Sequence, residues 1–94
     1  MSMIPAITSA KQFGQLVRDR RKALKMTQRE LALAISVGER FIVELEQGKE
    51  TCQLGKSLRA AKAVGLRLID EREVRETRDR IAHGQGGYDL SDLT

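Results

Sequence analysis

The chain has no tryptophan, one tyrosine and two phenylalanines, and it holds a single cysteine, a single proline and a single histidine. Each shortage excludes something. One cysteine, Cys52, cannot form an internal disulfide. That points to a reducing, cytosolic setting in which Cys52 is a small apolar core residue. One histidine, His83, and one cysteine supply neither a metal cluster nor a Cys–His pair close in sequence. No apolar run approaches the roughly 18 residues of a membrane span. The first residues, MSMIPAITSAK, lack a basic stretch followed by a long apolar one, so no secretion signal is expected. The glycines of GQGG (Gly84, Gly86, Gly87) follow no strand and precede no G-K-[ST]. They read as a flexible tail rather than a phosphate loop. No cofactor, no metal and no enzymatic activity are expected.

What is present is charge. A third of the 94 residues are charged, with a formal net charge of +4 and an isoelectric point near 9.6. This mild basic excess is compatible with a nucleic-acid partner without proving one. The length suits one small domain, whose modest core leans on a partner for stability.

Along the chain, residues 1–8 read as a loose arm that Pro5 keeps out of a helix. Ser9 and Gln12 have the spacing of a capping box. It opens a helix from about Ala10 to Leu24, with Phe13, Leu16, Val17 and Leu24 as its apolar stripe. Arg21 falls on that stripe four residues after Val17, and a charge there needs a partner. Thr27 and Glu30 form a second capping box, opening a short helix that turns Leu31, Ala32 and Ala34 inward. The period breaks at Ile35-Ser36-Val37-Gly38. A third helix begins near Gly38, points Ile42 and Leu45 inward, and ends at Gly48 as a C′ glycine. A fourth runs from about Leu54 to Val64, with Leu54, Leu58, Ala61 and Val64 inward, and Gly65 closes it.

Residues 66–70 then read as a short strand, Leu66-Arg67-Leu68-Ile69, with no mate unless the Met3-Ile4 region serves. A lone strand of this length is not stable. Pairing with the same strand of a second copy gives a two-fold dimer. Residues 71–83 read as a charged helix, with Glu71–Arg75, Arg72–Glu76 and Glu76–Arg80 at i,i+4 spacing. Val74 and Ile81 are its clear apolar positions, and His83 stands near its end as a C-terminal cap. Residues 84–94 form a tail expected to be disordered without a partner.

Two short helices joined by a tight turn, held on a first and a fourth helix, make a helix-turn-helix. A second helix of about nine residues is about 14 Å long, matched to a major groove roughly 12 Å wide. The expected fold is therefore all-α: four core helices over residues 9–65, then the dimerising strand and the charged helix.

The residues carry a resemblance. Thr27-Gln28, Glu30-Leu31-Ala32, Val37, Leu45-Glu46 and Gly48-Lys49 look like the signature of the phage-repressor-like helix-turn-helix family (the XRE or Cro/C1 type). Arg40-Phe41-Ile42, Glu44-Leu45-Glu46, Gly48-Lys49, Gln53-Leu54-Gly55-Lys56 and Gly65-Leu66-Arg67-Leu68 resemble the HipB-type antitoxins, encoded beside HipA-like serine kinase toxins. The likeness covers about residues 10 to 70. It implies a bacterial, cytosolic dimer that represses its own operon by binding inverted repeats in double-stranded DNA and holds the kinase inactive. It also implies that the strand at Leu66, Arg67, Leu68 and Ile69 joins the dimer interface. Bound to its operator, such a protein sits on the nucleoid.

The resemblance also implies site residues. Arg40, near the start of the third helix, would take a guanine edge or a phosphate. Its other reading is an i,i+4 pair with Glu44. Gln28 would bond a phosphate or a base edge, or serve only at the helix start, and Arg29 would meet the backbone. Arg18 and Lys22 are phosphate candidates, or simply a solvated basic face. Glu39 and Glu44 repel phosphate unless they accept from cytosine amino groups or pair with Arg40. Gly38 and Val43 depart from the serines common in the family. Phe41 touches a thymine methyl or packs on Val37 and Leu45, packing being preferred. The family pairs an arginine at the Arg21 position with a glutamate at Glu46, itself four residues after Ile42, so a salt bridge is expected there.

Three functions fit: a dimeric autorepressor that is also the antitoxin of a HipA-like kinase, a plain phage-type or operon repressor, and an interaction module with weak DNA binding. In the first, the toxin is expected against the fourth helix, the charged helix and the tail.

Overall fold

A computed structural model describes residues 6–73 and 75. The Met3-Ile4 region, Val74, Ile81, the pairs of Glu76, the cap at His83 and the tail lie outside the described residues. Four helices follow in order: α1 (Ala10–Ala23), α2 (Gln28–Ala34), α3 (Glu39–Glu46) and α4 (Leu54–Ala63). Residues 71–73 and 75 are also helical, and Arg75 reaches Glu71 at 2.9 Å. Among the described residues no helix is long and apolar enough to cross a membrane.

The helix ends follow from local chemistry. Ser9 caps α1 by accepting from the Gln12 N–H, but the return arm of that box slips by one residue. Gln12 Oε1 instead accepts from the Thr8 N–H and hydroxyl, each at 2.7 Å. At α2 the box closes in both directions between Thr27 and Glu30. Gly48, at φ +88°, reverses the chain after α3. Its N–H donates to the Leu45 carbonyl and the Lys49 N–H to the Glu44 carbonyl, each at 3.0 Å. Only glycine enters this left-handed region without strain. Gly65, at φ +85°, ends α4 in the same way, and Arg20 leans onto the Val64 and Gly65 carbonyls.

The core gathers Val17, Leu31, Ala32, Ile35, Ile42, Leu45, Ala60 and Val64. α1 and α2 both pack on α3, and α4 packs on α2. Gly14 lets α1 come down directly on the end of α3, because a Cβ there would collide with the Leu45 carbonyl oxygen.

The structure corrects several sequence expectations. Leu24 is exposed, because α1 stops at Ala23 and Leu24 falls past the last turn. Ala34 is exposed as well. On α4 the inward face is Ser57, Ala60, Ala61 and Val64, whereas Leu54 is 71% exposed and Leu58 40%. The small residues let α4 lie close to its neighbours, which turns the leucines outward. Residues 66–70 form no strand. Their only backbone bond among the described residues is from the Leu66 N–H to the Ala61 carbonyl, and a single chain offers this segment no ladder.

Candidate nucleic-acid interface

The α2–turn–α3 unit is held from behind by a buried polar network. Arg21 of α1 donates from Nε to Glu46 Oε2 at 2.7 Å and from Nη2 to Glu46 Oε1 at 3.0 Å, a two-pronged pair. Its third nitrogen, Nη1, donates to the Met26 carbonyl at 2.7 Å. Gln28 Nε2 adds a bond to Glu46 Oε1 at 3.0 Å. One carboxylate at the end of α3 thus gathers donors from α1 and from the first turn of α2. The hydrogen bonds that Arg21 donates to Glu46 raise its pKa above the ordinary value, against the opposing effect of burial. No buried side-chain polar atom among the described residues lacks a partner. Gln28, read from sequence as a DNA contact, spends one amide N–H inside this network, and its carbonyl oxygen accepts no hydrogen bond among the described residues.

With Ile42, Leu45 and Glu46 facing inward, helical geometry leaves Arg40, Val43, Glu44 and Gln47 on the outer side of α3, and Glu39 is exposed in its first turn. Arg40 is open to solvent, its side chain 90% exposed and its Nε 3.6 Å from Glu44 Oε2. Glu44 is also met by Lys49 Nζ at 3.3 Å. Val43 and Glu44 are half-buried, and Glu39 has no ion-pair partner among the described residues. Gly38 caps α3 without a side-chain bond, and a Cβ there would meet nothing within 4 Å, so a serine has room. Phe41 packs against the core and does not share the outer face. Lys56, in the first turn of α4, stands 5.8 Å from the centre of its ring.

Arg18 and Lys22 lie one turn apart on the exposed side of α1, and Arg29 is exposed in the first turn of α2. None of the three has an ion-pair partner among the described residues. Sequence reasoning missed Gln47, Lys49 and Lys56. Gln47 could have been found by its spacing, four residues after Val43 on the same face. The two lysines are brought in by the turn at Gly48 and by the placement of α4. Leu66 packs on the core, while Arg67, Leu68 and Ile69 are exposed, Leu68 at 58% and Ile69 at 63%. Cys52 is half-buried against the core, and burial pushes its thiol pKa up.

Known proteins share this sequence and fold. No family model matches the chain. An uncharacterised HTH-type transcriptional regulator of Sinorhizobium fredii, y4mF, is 44% identical over 66 residues, spanning 70% of this chain and 87% of that protein. Among solved structures, HipB in a HipA-HipB-O2-O3 complex matches with a TM-score of 0.64 at 23% identity, covering 72% of this chain and 99% of that one. HipB in an O4 20mer complex matches with a TM-score of 0.63 and the same identity and coverage. The fold is thus that of HipB, and the chain belongs to the HTH-type transcriptional regulators, which are not enzymes.

Proposed function

We propose that this chain is a dimeric repressor that reads an inverted-repeat operator in its own promoter, and that it serves as the antitoxin of a HipA-like serine kinase. The DNA half rests on one contrast. The inner side of α3 is clamped to α1 and α2 through Arg21, Glu46 and Gln28, while its outer side is open and carries an exposed arginine. A rigid helix of eight residues is about 12 Å long, close to the width of the major groove. Arg40 takes a base edge, the free oxygen of Gln28 remains as an acceptor, and Arg29, Arg18 and Lys22 meet phosphates. Glu44 is already matched by Lys49 and Arg40, so the acidic residues of α3 weigh less against DNA than their number suggests. The dimer is supported by exposed Leu68 and Ile69 on a segment with no ladder of its own, and two-fold symmetry suits an inverted repeat. The antitoxin half is supported by the shared fold with HipB in its complex with HipA. The protein then works in the bacterial cytoplasm, on the nucleoid, with α4, the charged segment after residue 70 and the tail left for the kinase.

The test is binding to a labelled duplex taken from immediately upstream of the coding sequence, against a scrambled duplex, in rising salt. Preference for the first, with log K falling by about 0.9 per phosphate neutralised for each unit of log salt, supports the repressor. Equal, salt-insensitive binding assigns a protein-interaction module instead. A native pull-down that brings a stoichiometric HipA-like kinase supports the antitoxin role, and a dimer carrying only DNA leaves a plain repressor.

A further inference from the structure

Lys49 stands one residue beyond the glycine that ends α3, and that turn ties it twice to the same residue. Its N–H donates to the Glu44 carbonyl at 3.0 Å. Its side chain folds back so that Nζ lies 3.3 Å from Glu44 Oε1. The other carboxylate oxygen, Oε2, faces Arg40 Nε at 3.6 Å. One carboxylate on the outer face of α3 therefore holds two cations through opposite oxygens. They are held unequally. Lys49 is anchored by its own backbone at the C-terminal end of the helix, where a cation is favoured. Arg40 sits further off, with its side chain almost wholly in solvent.

We propose that Lys49 is a positioning residue for operator recognition, which keeps the charge of Glu44 matched so that Arg40 is free to leave it for DNA. This rests on the operator-binding reading above. Without Lys49, Arg40 is the only remaining ion partner of Glu44 among the described residues. Reaching a guanine then means abandoning that partner and leaving a bare carboxylate facing phosphate, and both effects oppose binding. With Lys49 in place, the carboxylate stays matched after Arg40 departs. Lys49 thus acts through Glu44 and needs no contact with DNA.

The experiment is a double-mutant cycle on the full chain: wild type, Lys49→Gln, Glu44→Gln and the pair, with Lys49→Arg as the conservative variant. Affinity for the upstream duplex and its salt slope are read by fluorescence anisotropy, and urea midpoints are read alongside. Lys49→Gln is expected to weaken binding about three- to fivefold in the wild-type background, the scale of a surface ion pair. In the Glu44→Gln background it is expected to change neither affinity nor slope, and Lys49→Arg is expected to keep wild-type affinity. Equal weakening in both backgrounds, with a salt slope shallower by about 0.9, makes Lys49 a phosphate contact and overturns the proposal while the operator reading stands. Affinity unchanged in both backgrounds, or lost in step with the urea midpoint, overturns it too. A wild-type protein that does not prefer the upstream duplex overturns the operator reading itself, a failure visible before any variant is compared.

Discussion

The first three helices and the stretch from α4 to Ile69 treat their misfit residues in opposite ways. In the first region Leu24 and Leu33 are exposed, but the misfits that shape the core are polar and buried. Arg21, Glu46 and Gln28 are satisfied by one another and by the Met26 carbonyl. In the second the misfits are apolar and exposed, with Leu54, Leu58, Leu68 and Ile69 turned to water. A buried charge can be matched within one chain because hydrogen bonds are short and directional, and three helix segments suffice to converge on a carboxylate. An apolar surface outside the core can only be matched by more surface. The buried charges of the first region are therefore met within one chain, whereas the run of exposed apolar residues in the second is what the proposed dimer would cover.

The sharpest way to break this comparison is to unbalance the network. Glu46→Ala leaves the Arg21 guanidinium buried without its partner, and urea unfolding should show a loss of roughly 3–5 kcal/mol. Replacing both residues, Arg21→Met with Glu46→Leu, should lose much less, because no charge remains to be matched. If the double replacement is as damaging as the single one, the network is not the self-contained unit described. Next comes the exposed stretch. Leu68→Glu with Ile69→Glu should convert a dimer to a monomer in sedimentation equilibrium while the helical circular dichroism is kept, and a wild-type monomer at micromolar concentration would end the dimer reading. On the open face, Arg40→Ala should cost roughly 1–3 kcal/mol of binding to the upstream duplex and little to the scrambled one. The smallest effect is local. Lys25 holds φ at +59°, a conformation that strains a side-chain-bearing residue, so Lys25→Gly should raise stability by about 0.5–1 kcal/mol in the same urea assay.

Legibility in the sequence followed the range of the interaction. The caps at Ser9, Thr27 and Gly48 depend on residues within one turn, and their spacing could be read directly. The Arg21–Glu46 contact spans 25 residues, yet each partner sat four residues after an inward aliphatic one, so both could be placed on the core side; the resemblance supplied the pairing. The face of α4 could be read only in part: Ala61 and Val64 are inward as expected, but a count of large apolar residues favours Leu54 and Leu58 and does not see Ser57 and Ala60. What decided the face was how near α4 could approach, which depends on residues from other helices. Leu24 misled because the stripe runs one residue further than the helix. The strand expected at residues 66–70 is absent, because alternating apolar residues do not make a strand where the backbone has no neighbour to pair with. On the open face, the spacing to Glu44 gave the ion-pair reading of Arg40, and the resemblance gave the reading as a DNA contact. Lys49 was not visible as a third member, since only the reversal at Gly48 returns it to that carboxylate.

The contact of α1 with the end of α3 bears on how such a repressor can be switched. Main chain lies on main chain there: Gly14 sits beneath the Leu45 carbonyl, and a Cβ on Gly48 would stand 2.8 Å from Lys11 Cα. At this point of contact no side chain separates the two backbones, so there is little here to compress between α1 and α3. The proposed reading helix therefore has little room at this contact to be re-aimed against α1. In the proposed dimer, induction would then alter the spacing or tilt between two whole copies, as one changes the reach of calipers by moving the arms and not by flexing the tips.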